Sequence, residues 1–119
     1  MVSKVVRNNI HNLQKIAGTS PKHVKPILEN AGKDLIEAIR QIVLNVLVGV
    51  IHLEPAQLEK LSKHKYKLRK ISNKGTSNKE RKQIIQTGSG FIIPLLTAVL
   101  PQIVGGIASL LTRKSTKNV

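Results

Sequence analysis

"KDLIEAIRQIVLNVLVGVIHL", residues 33 to 53, decides the fold. Leu35, Ile36, Ile39, Ile42, Val43, Val46, Leu47, Val50 and Ile51 recur at intervals of three and four, the spacing that lines one side of an α-helix. The pattern predicts a helix from Lys33 to Leu53. Asp34, Glu37, Arg40, Gln41 and Asn45 fall on its polar side, while Leu44 and Val48 widen the apolar stripe. A stripe that broad needs a partner helix, from this chain or from another.

Helix signals continue on both sides. Residues 1–19 mix apolar pairs with Lys4, Arg7, Asn8 and Asn9, and "AGTSP" then interrupts, so this part is expected to be a short helix or a mobile arm. Ser20 before Pro21 is a helix start, and "SPKHVKPILENAG" reads as helical to Gly32, short or kinked because of Pro26. Residues 20–53 thus form an amphipathic helical region. The basic region, 54–86, opens with Glu54 ahead of Pro55 and spaces Leu58, Leu61, Leu68 and Ile71 as a thin apolar edge, with Gly75 as a stop. Ser77 with Glu80 three residues later has the form of a capping box before Ile84 and Ile85. A Gly/Ser hinge at 87–90, an apolar segment at 91–112 and a basic tail at 113–119 complete the chain. The expected fold class is all-α: a small, partly flexible set of helices with a basic helical segment and a long apolar C-terminal helix.

The 119 residues suffice for one domain with a modest core. Lys and Arg number 20 against six Asp and Glu, which implies an anionic partner: nucleic acid, anionic lipid or an acidic protein surface. Cysteine is absent, which excludes disulfides, thiolate metal sites and thiol nucleophiles. With one Phe, one Tyr and no Trp, contacts to nucleic acid should be mostly electrostatic, since aromatic stacking platforms are scarce. The N-terminus has no apolar run of signal-peptide length, so the chain is expected to stay in the cell that makes it or in a particle assembled there.

Half of the basic residues lie in one window: Lys60, Lys63, Lys65, Lys67, Arg69, Lys70, Lys74, Lys79, Arg81 and Lys82, with Glu80 as its one acid. A charge run is often only a solvated helix face. The scarcity of interspersed acids favours binding, and the absence of zinc-finger, zipper or RNA-binding signatures favours phosphate neutralisation over base reading. If all ten cations met phosphates, the salt slope of DNA affinity would approach about −9. The same cluster also fits a nuclear address or an anionic-lipid patch.

The stretch from Phe91 to Leu111 carries no charge over 21 residues, the length of a membrane span. Its apolar side chains, Phe91, Ile92, Ile93, Leu95, Leu96, Val99, Leu100, Ile103, Val104, Ile107, Leu110 and Leu111, are candidates for membrane contact or association. Pro94, Pro101, Gly105 and Gly106 interrupt it, which fits a bent membrane-active segment or a helix buried against residues 35–51 better than a straight anchor.

Other patterns carry less. "TGSG" follows no strand and lacks the Lys and Ser/Thr that finish a P-loop. His11, His23, His52 and His64 stand 12, 29 and 12 residues apart, without the spacing of metal ligands. Asp34 and Glu37 sit beside Lys33 and Arg40 and read as surface ion pairs. No nucleophile and base come together, so the expectation is a non-enzyme with no cofactor and no metal site.

The order of the basic tract, "QTGSG" and "GFIIPLLTAVLPQIVGGIASLL" resembles the precursors of adenovirus core protein X (mu) over the last third of the chain. From "LIEAIRQIVLNVL" through "LSKHKYKLRKISNKG" to "RKQIIQTGSGFIIPLL", about residues 20–112, the chain is similar to the X-like small proteins of adintoviruses and Polinton (Maverick) elements. It is Lys-rich where the adenovirus proteins are Arg-rich, and it has an added helical region before residue 54. The resemblance implies a virion core protein that condenses double-stranded DNA without sequence preference, assembled in the host nucleus. It also implies an adenovirus-type maturation protease as a partner, because "QTGSG" at 86–90 fits that protease's preference and would be cut between Ser89 and Gly90. A flexible Gly/Ser hinge explains the same five residues without any protease. Cleavage would separate a cationic part from an apolar peptide of 30 residues. Two alternatives stand beside this expectation: a protein that disrupts anionic membranes through its apolar end, and an adaptor that docks on capsid proteins through residues 33–53. Either form could self-associate into a homo-oligomer.

Overall fold

The computed structural model describes residues 3–117, with side chains from Ser3 to Val104 other than Ser89. The chain is all-α, as expected, with eight helices, one 3-10 turn and no strand among the described residues. The helices are α1 (Lys4–Asn8), α2 (Ile10–Ala17), α3 (Val24–Ala31, preceded by the 3-10 turn Pro21–His23), α4 (Lys33–Leu47), α5 (Pro55–Ser62), α6 (Lys65–Ser72), α7 (Asn78–Thr87) and α8 (Ser89–Lys117).

The central strut is α4. It buries Leu35, Ile36, Ala38, Ile39, Ile42, Val43 and Val46, the periodic set that its sequence displays, and packs between α1 and α6. Apolar side chains spaced for one helical face leave water only if neighbouring helices cover that face, and each such burial is worth about 1.5–3 kcal/mol. Short as they are, α1 and α2 supply part of the cover through Val6, Leu13 and Ile16. Ser3 caps α1 by accepting from the Val6 N–H at 3.2 Å, and its hydroxyl also meets Gln41 on α4. Residues 4–17 are therefore two packed helices.

The helix read from residues 33–53 ends six residues early. The apolar periodicity runs through Gly49, but the backbone does not: Gly49 adopts φ 81°, a left-handed conformation that side chains with a Cβ disfavour. The Val48 N–H reaches Leu44 O at 2.9 Å and the Ile51 N–H returns to Asn45 O at 3.1 Å, which closes the helix end. Beyond it, Ile51 and Leu53 turn inward, while Val48 and Val50 are exposed.

The basic region is three helices rather than two. A turn at Lys63 and His64 separates α5 from α6, with the His64 N–H on Leu61 O at 2.9 Å. Leu58 does not belong to the apolar edge, being 46% exposed, whereas Leu61, Leu68 and Ile71 are buried. Only half of the capping box expected at Ser77 forms: its hydroxyl accepts from the Glu80 N–H at 3.2 Å, while the Glu80 carboxylate turns to Lys70.

The last helix lies along α2 and touches α5 and α7. Phe91, Ile92, Leu95, Leu96, Val99, Leu100 and Ile103 are buried on its inner side, and Pro94 and Pro101 are exposed on its outer side. A proline has no N–H for the carbonyl four residues back, so Gly90 and Thr97 keep an acceptor that is best left near water.

Candidate functional site

Two surfaces carry the residues singled out from the sequence. The first is the outside of α5–α7. Here the apolar edge is so thin that most side chains must face water: α5 buries Leu61 alone, α6 buries Leu68 and Ile71, and α7 buries Ile85 and Arg81. The helices hold together by local bonds at their ends. Gln57 Oε1 accepts from the Glu54 N–H at 3.0 Å, Ser62 Oγ donates to Glu59 O at 2.6 Å, and Asn73 Oδ1 accepts from the Gly75 N–H at 2.8 Å.

The ten cations of the tract divide into three groups. Lys60, Lys63, Lys65, Lys67, Arg69, Lys74 and Lys79 are exposed. Lys70 and Lys82 are half-buried, and Lys70 Nζ lies 2.7 Å from Glu80 Oε1. The hydrogen bond and the charge of Glu80 hold the Lys70 ammonium above its ordinary pKa. The ammonium also sits 5.9 Å from the centre of the Tyr66 ring.

Arg81 forms the third group alone and corrects the expectation that the whole tract faces phosphate. It is 6% exposed and donates to Ile71 O at 2.9 Å, to Asn73 O, and to Asn78 Oδ1 at 3.2 Å. These carbonyls belong to the C-terminal end of α6, where the helix leaves acceptors without partners and carries partial negative charge. Arg40 on α4 adds a longer bond to Ser72 O at 3.4 Å, and its Nε holds Glu37 at 2.7 and 2.8 Å. Arg40 beside it holds the Glu37 carboxyl below the usual carboxylate range, and Glu37 in turn raises Arg40. Burial lowers the Arg81 guanidinium, Arg40 lowers it further and Glu37 opposes them, but a guanidinium stays charged at neutral pH. Arg81 is thus used up in fastening α6 to α7.

Reasoning from the tract also overlooked cations elsewhere. Lys4, Arg7, Lys15, Lys22, Lys25 and Lys33 are all exposed. In sequence each stands alone or beside apolar residues, so no cluster marks them. The available signal was the balance of residues 1–33, six cations against the single acid Glu29.

The second surface is the apolar end. Seven of its candidate association residues, from Phe91 to Ile103, face the chain's own core, while Ile93 and Val104 are half-buried. In this conformation the seven meet neither lipid nor a partner. Ile107, Leu110 and Leu111 lie outside the residues whose side chains are described, as do Ser89 and the tail 113–119. Among the described residues no single helix is long and apolar enough to cross a membrane. The pair Asn78–Thr87 and Gly90–Val104 passes that test only together, bent by 94°.

A groove of about 490 Å³ opens between α5 and α8, walled by Leu53, Leu61, Phe91, Pro94, Leu95 and Ala98, with Lys60 and His64 among its polar lining. His64 stacks on Phe91, with ring centres 4.5 Å apart and planes 16° apart. That contact ties the turn between α5 and α6 to the start of α8. Among the described residues no three His, Asp or Glu side chains gather as a metal site would need.

The Gly/Ser stretch 87–90 is a corner between helices. Gly88 is buried, and Gly90 is exposed in the first turn of α8. The Phe91 and Ile92 N–H groups both reach Gly88 O at 3.0 Å. Cutting between Ser89 and Gly90 would therefore require this corner to open locally.

No protein-family model matches the chain, and no curated protein or solved structure matches it.

Proposed function

We propose that this chain is a non-enzymatic structural protein that neutralises packaged double-stranded DNA without reading its sequence. Its basic helical segment, α5–α7, supplies the phosphate contacts, and a long apolar C-terminal helix serves packing and association. The setting that the resemblance to X-like core proteins supports is a virion assembled in the host nucleus, with capsid proteins and a maturation protease as neighbours. One observation carries this reading: seven of the ten cations between Lys60 and Lys82 are exposed, and the single carboxylate in that window, Glu80, is already held by Lys70.

The mechanism is counterion release. Each ammonium that replaces a condensed cation on the duplex favours binding in proportion to the salt gradient, and seven such contacts correspond to a slope of about −6 in log affinity against log salt. Duplex affinity measured across a salt series tests this. Changing Lys65, Lys67, Arg69 and Lys74 together to Ala should make the slope shallower by about three to four. A flat slope for the unaltered chain would remove the proposal.

A second reading, disruption of anionic membranes, is favoured by the apolar stretch of α8, which reaches span length only together with α7 across a 94° bend. It requires the buried side of α8 to leave the core. Leakage from anionic vesicles, abolished by deleting residues 91–111, would support it over DNA neutralisation if duplex binding were weak.

A further inference from the structure

Among the described residues Tyr66 is the most exposed large apolar side chain, at 75%. The other exposed large apolar residues, Val48, Val50 and Leu58, range from 62% down to 46%. Nothing in the packing calls for an aromatic at this place. The helix that carries it is anchored by Leu68 and Ile71, which point inward. A lysine or serine at position 66 would cost the fold no buried contact, only the Lys70 ammonium over the ring, and would remove an apolar ring from water.

The surroundings of the ring are specific. Lys65 and Lys67 flank it in sequence and are exposed, and Arg69, also exposed, follows three positions later on the same side of α6. Lys70 places its ammonium 5.9 Å from the ring centre, while Glu80 holds that ammonium at 2.7 Å from the other side. A tethered ammonium over an aromatic ring is attracted by the ring's π-face, which favours one placement of the ring. The result is one aromatic platform, with the Lys70 ammonium over one face of the ring and cations around it that suit phosphate.

We propose that Tyr66 stacks on an unpaired base, so that α6 holds single-stranded DNA by a contact that duplex DNA cannot make. The proposal rests on the reading of α5–α7 as a DNA-binding surface and adds a preference to it. Bases within a duplex are already stacked on their neighbours and offer no face to a side chain from outside. An unpaired base offers one, and because every base has such a face, the contact is independent of sequence. Phosphates on either side of the stacked base then fall to Lys65, Lys67 and Arg69. The chain would hold gaps, single-stranded overhangs and melted segments more firmly than intact duplex of equal charge.

The experiment uses the full chain, whose single tyrosine and lack of tryptophan make tyrosine fluorescence a reporter on Tyr66 alone. An oligothymidylate and a blunt duplex of the same length, each end-labelled so that anisotropy reads affinity, are titrated at matched salt against the unaltered protein, Tyr66→Ala and Tyr66→Phe. Fluorescence should be quenched by the single strand and little changed by the duplex. Tyr66→Ala should weaken the single strand by about five- to a hundredfold, the range for losing one stacked base, while Tyr66→Phe retains affinity. Duplex affinity should be the same for all three proteins. Unchanged single-strand affinity in Tyr66→Ala overturns the proposal, as does an equal loss on both probes, which would make the ring structural. Duplex binding without any effect at Tyr66 leaves the DNA-neutralising reading standing and removes only this inference. Failure of the unaltered chain to bind either probe removes both.

Discussion

The two ends of α7 turn the chain by opposite means. Between α6 and α7 a charged side chain is buried: Arg81 lies under the corner and ties down the carbonyls of Ile71 and Asn73. Between α7 and α8 a side chain is missing: a Cβ on Gly88 would stand 2.3 Å from Cε1 of Phe91 and 2.7 Å from Ile84 O. One corner needs the largest donor available, and the other needs no side chain at all. Along the sequence neither residue announces itself, since Arg81 is one cation among ten and Gly88 is one glycine in a Gly/Ser run. What separates them from their neighbours is the position of the helices they join.

The most severe way to break this contrast is Gly88→Val. The Phe91 ring could swing aside, but the carbonyl of Ile84 belongs to α7 and cannot move without moving the helix. The loss should therefore reach the upper end of overpacking penalties, about 3 kcal/mol, read as a lower urea midpoint with an unchanged slope. At the other corner, Arg81→Met keeps the volume and removes the donors, leaving the Ile71 and Asn73 carbonyls without their bonds. A loss of about 1–3 kcal/mol is expected. The same variant should leave the salt slope of DNA affinity unchanged, because Arg81 never faced phosphate. Lys79→Met should do the reverse, lowering the slope by about one with stability constant to about 0.5 kcal/mol. If Arg81→Met lowered the slope as Lys79→Met does, the division of the tract into inner and outer cations would be wrong.

The contrast also marks what could be read in advance. The helix class and the buried side of α4 were legible, because Leu35, Ile39, Ile42 and Val46 repeat with the helical period and nothing competes with them. Its end at Leu47 was less so, since the apolar pattern continues while only the backbone at Gly49 changes. The break at Lys63 and His64 has no glycine or proline to mark it. It follows from the need of α5 to lie on α8 while α6 lies on α4, a tertiary demand. The inner side of α8 was present as a pattern, with Ile92, Leu95, Leu96, Val99 and Ile103 three and four apart, but the uncharged length of the segment drew attention to membranes first. Tyr66 was hidden by a count: two aromatics in 119 residues exclude a row of platforms but do not exclude one.

Two smaller effects sharpen the comparison at the Arg81 corner. Ser77→Ala removes the cap that starts α7 one turn before Arg81, and should cost about 1 kcal/mol. Because the cap and the guanidinium both fix the start of α7, the double change with Arg81→Met should cost less than the sum of the two singles.

The last effect is a pH dependence at the same corner. Arg40 holds the Glu37 carboxyl below its ordinary pKa, so the folded chain binds that proton less readily than the unfolded chain does. The associated stability is complete above the unfolded carboxylate range and is lost as pH falls through it toward the lower folded value. Urea midpoints taken from neutral pH downward should therefore fall less steeply for Glu37→Gln than for the unaltered chain. Glu37 is partly open to solvent, so the difference should be small, and salt should shrink it further. An identical acid profile in the two proteins would mean that Glu37 contributes nothing through Arg40. In that case Arg40 would serve this corner only through its bond to Ser72 O, and Arg40→Met should cost no more than that one bond, about 1 kcal/mol.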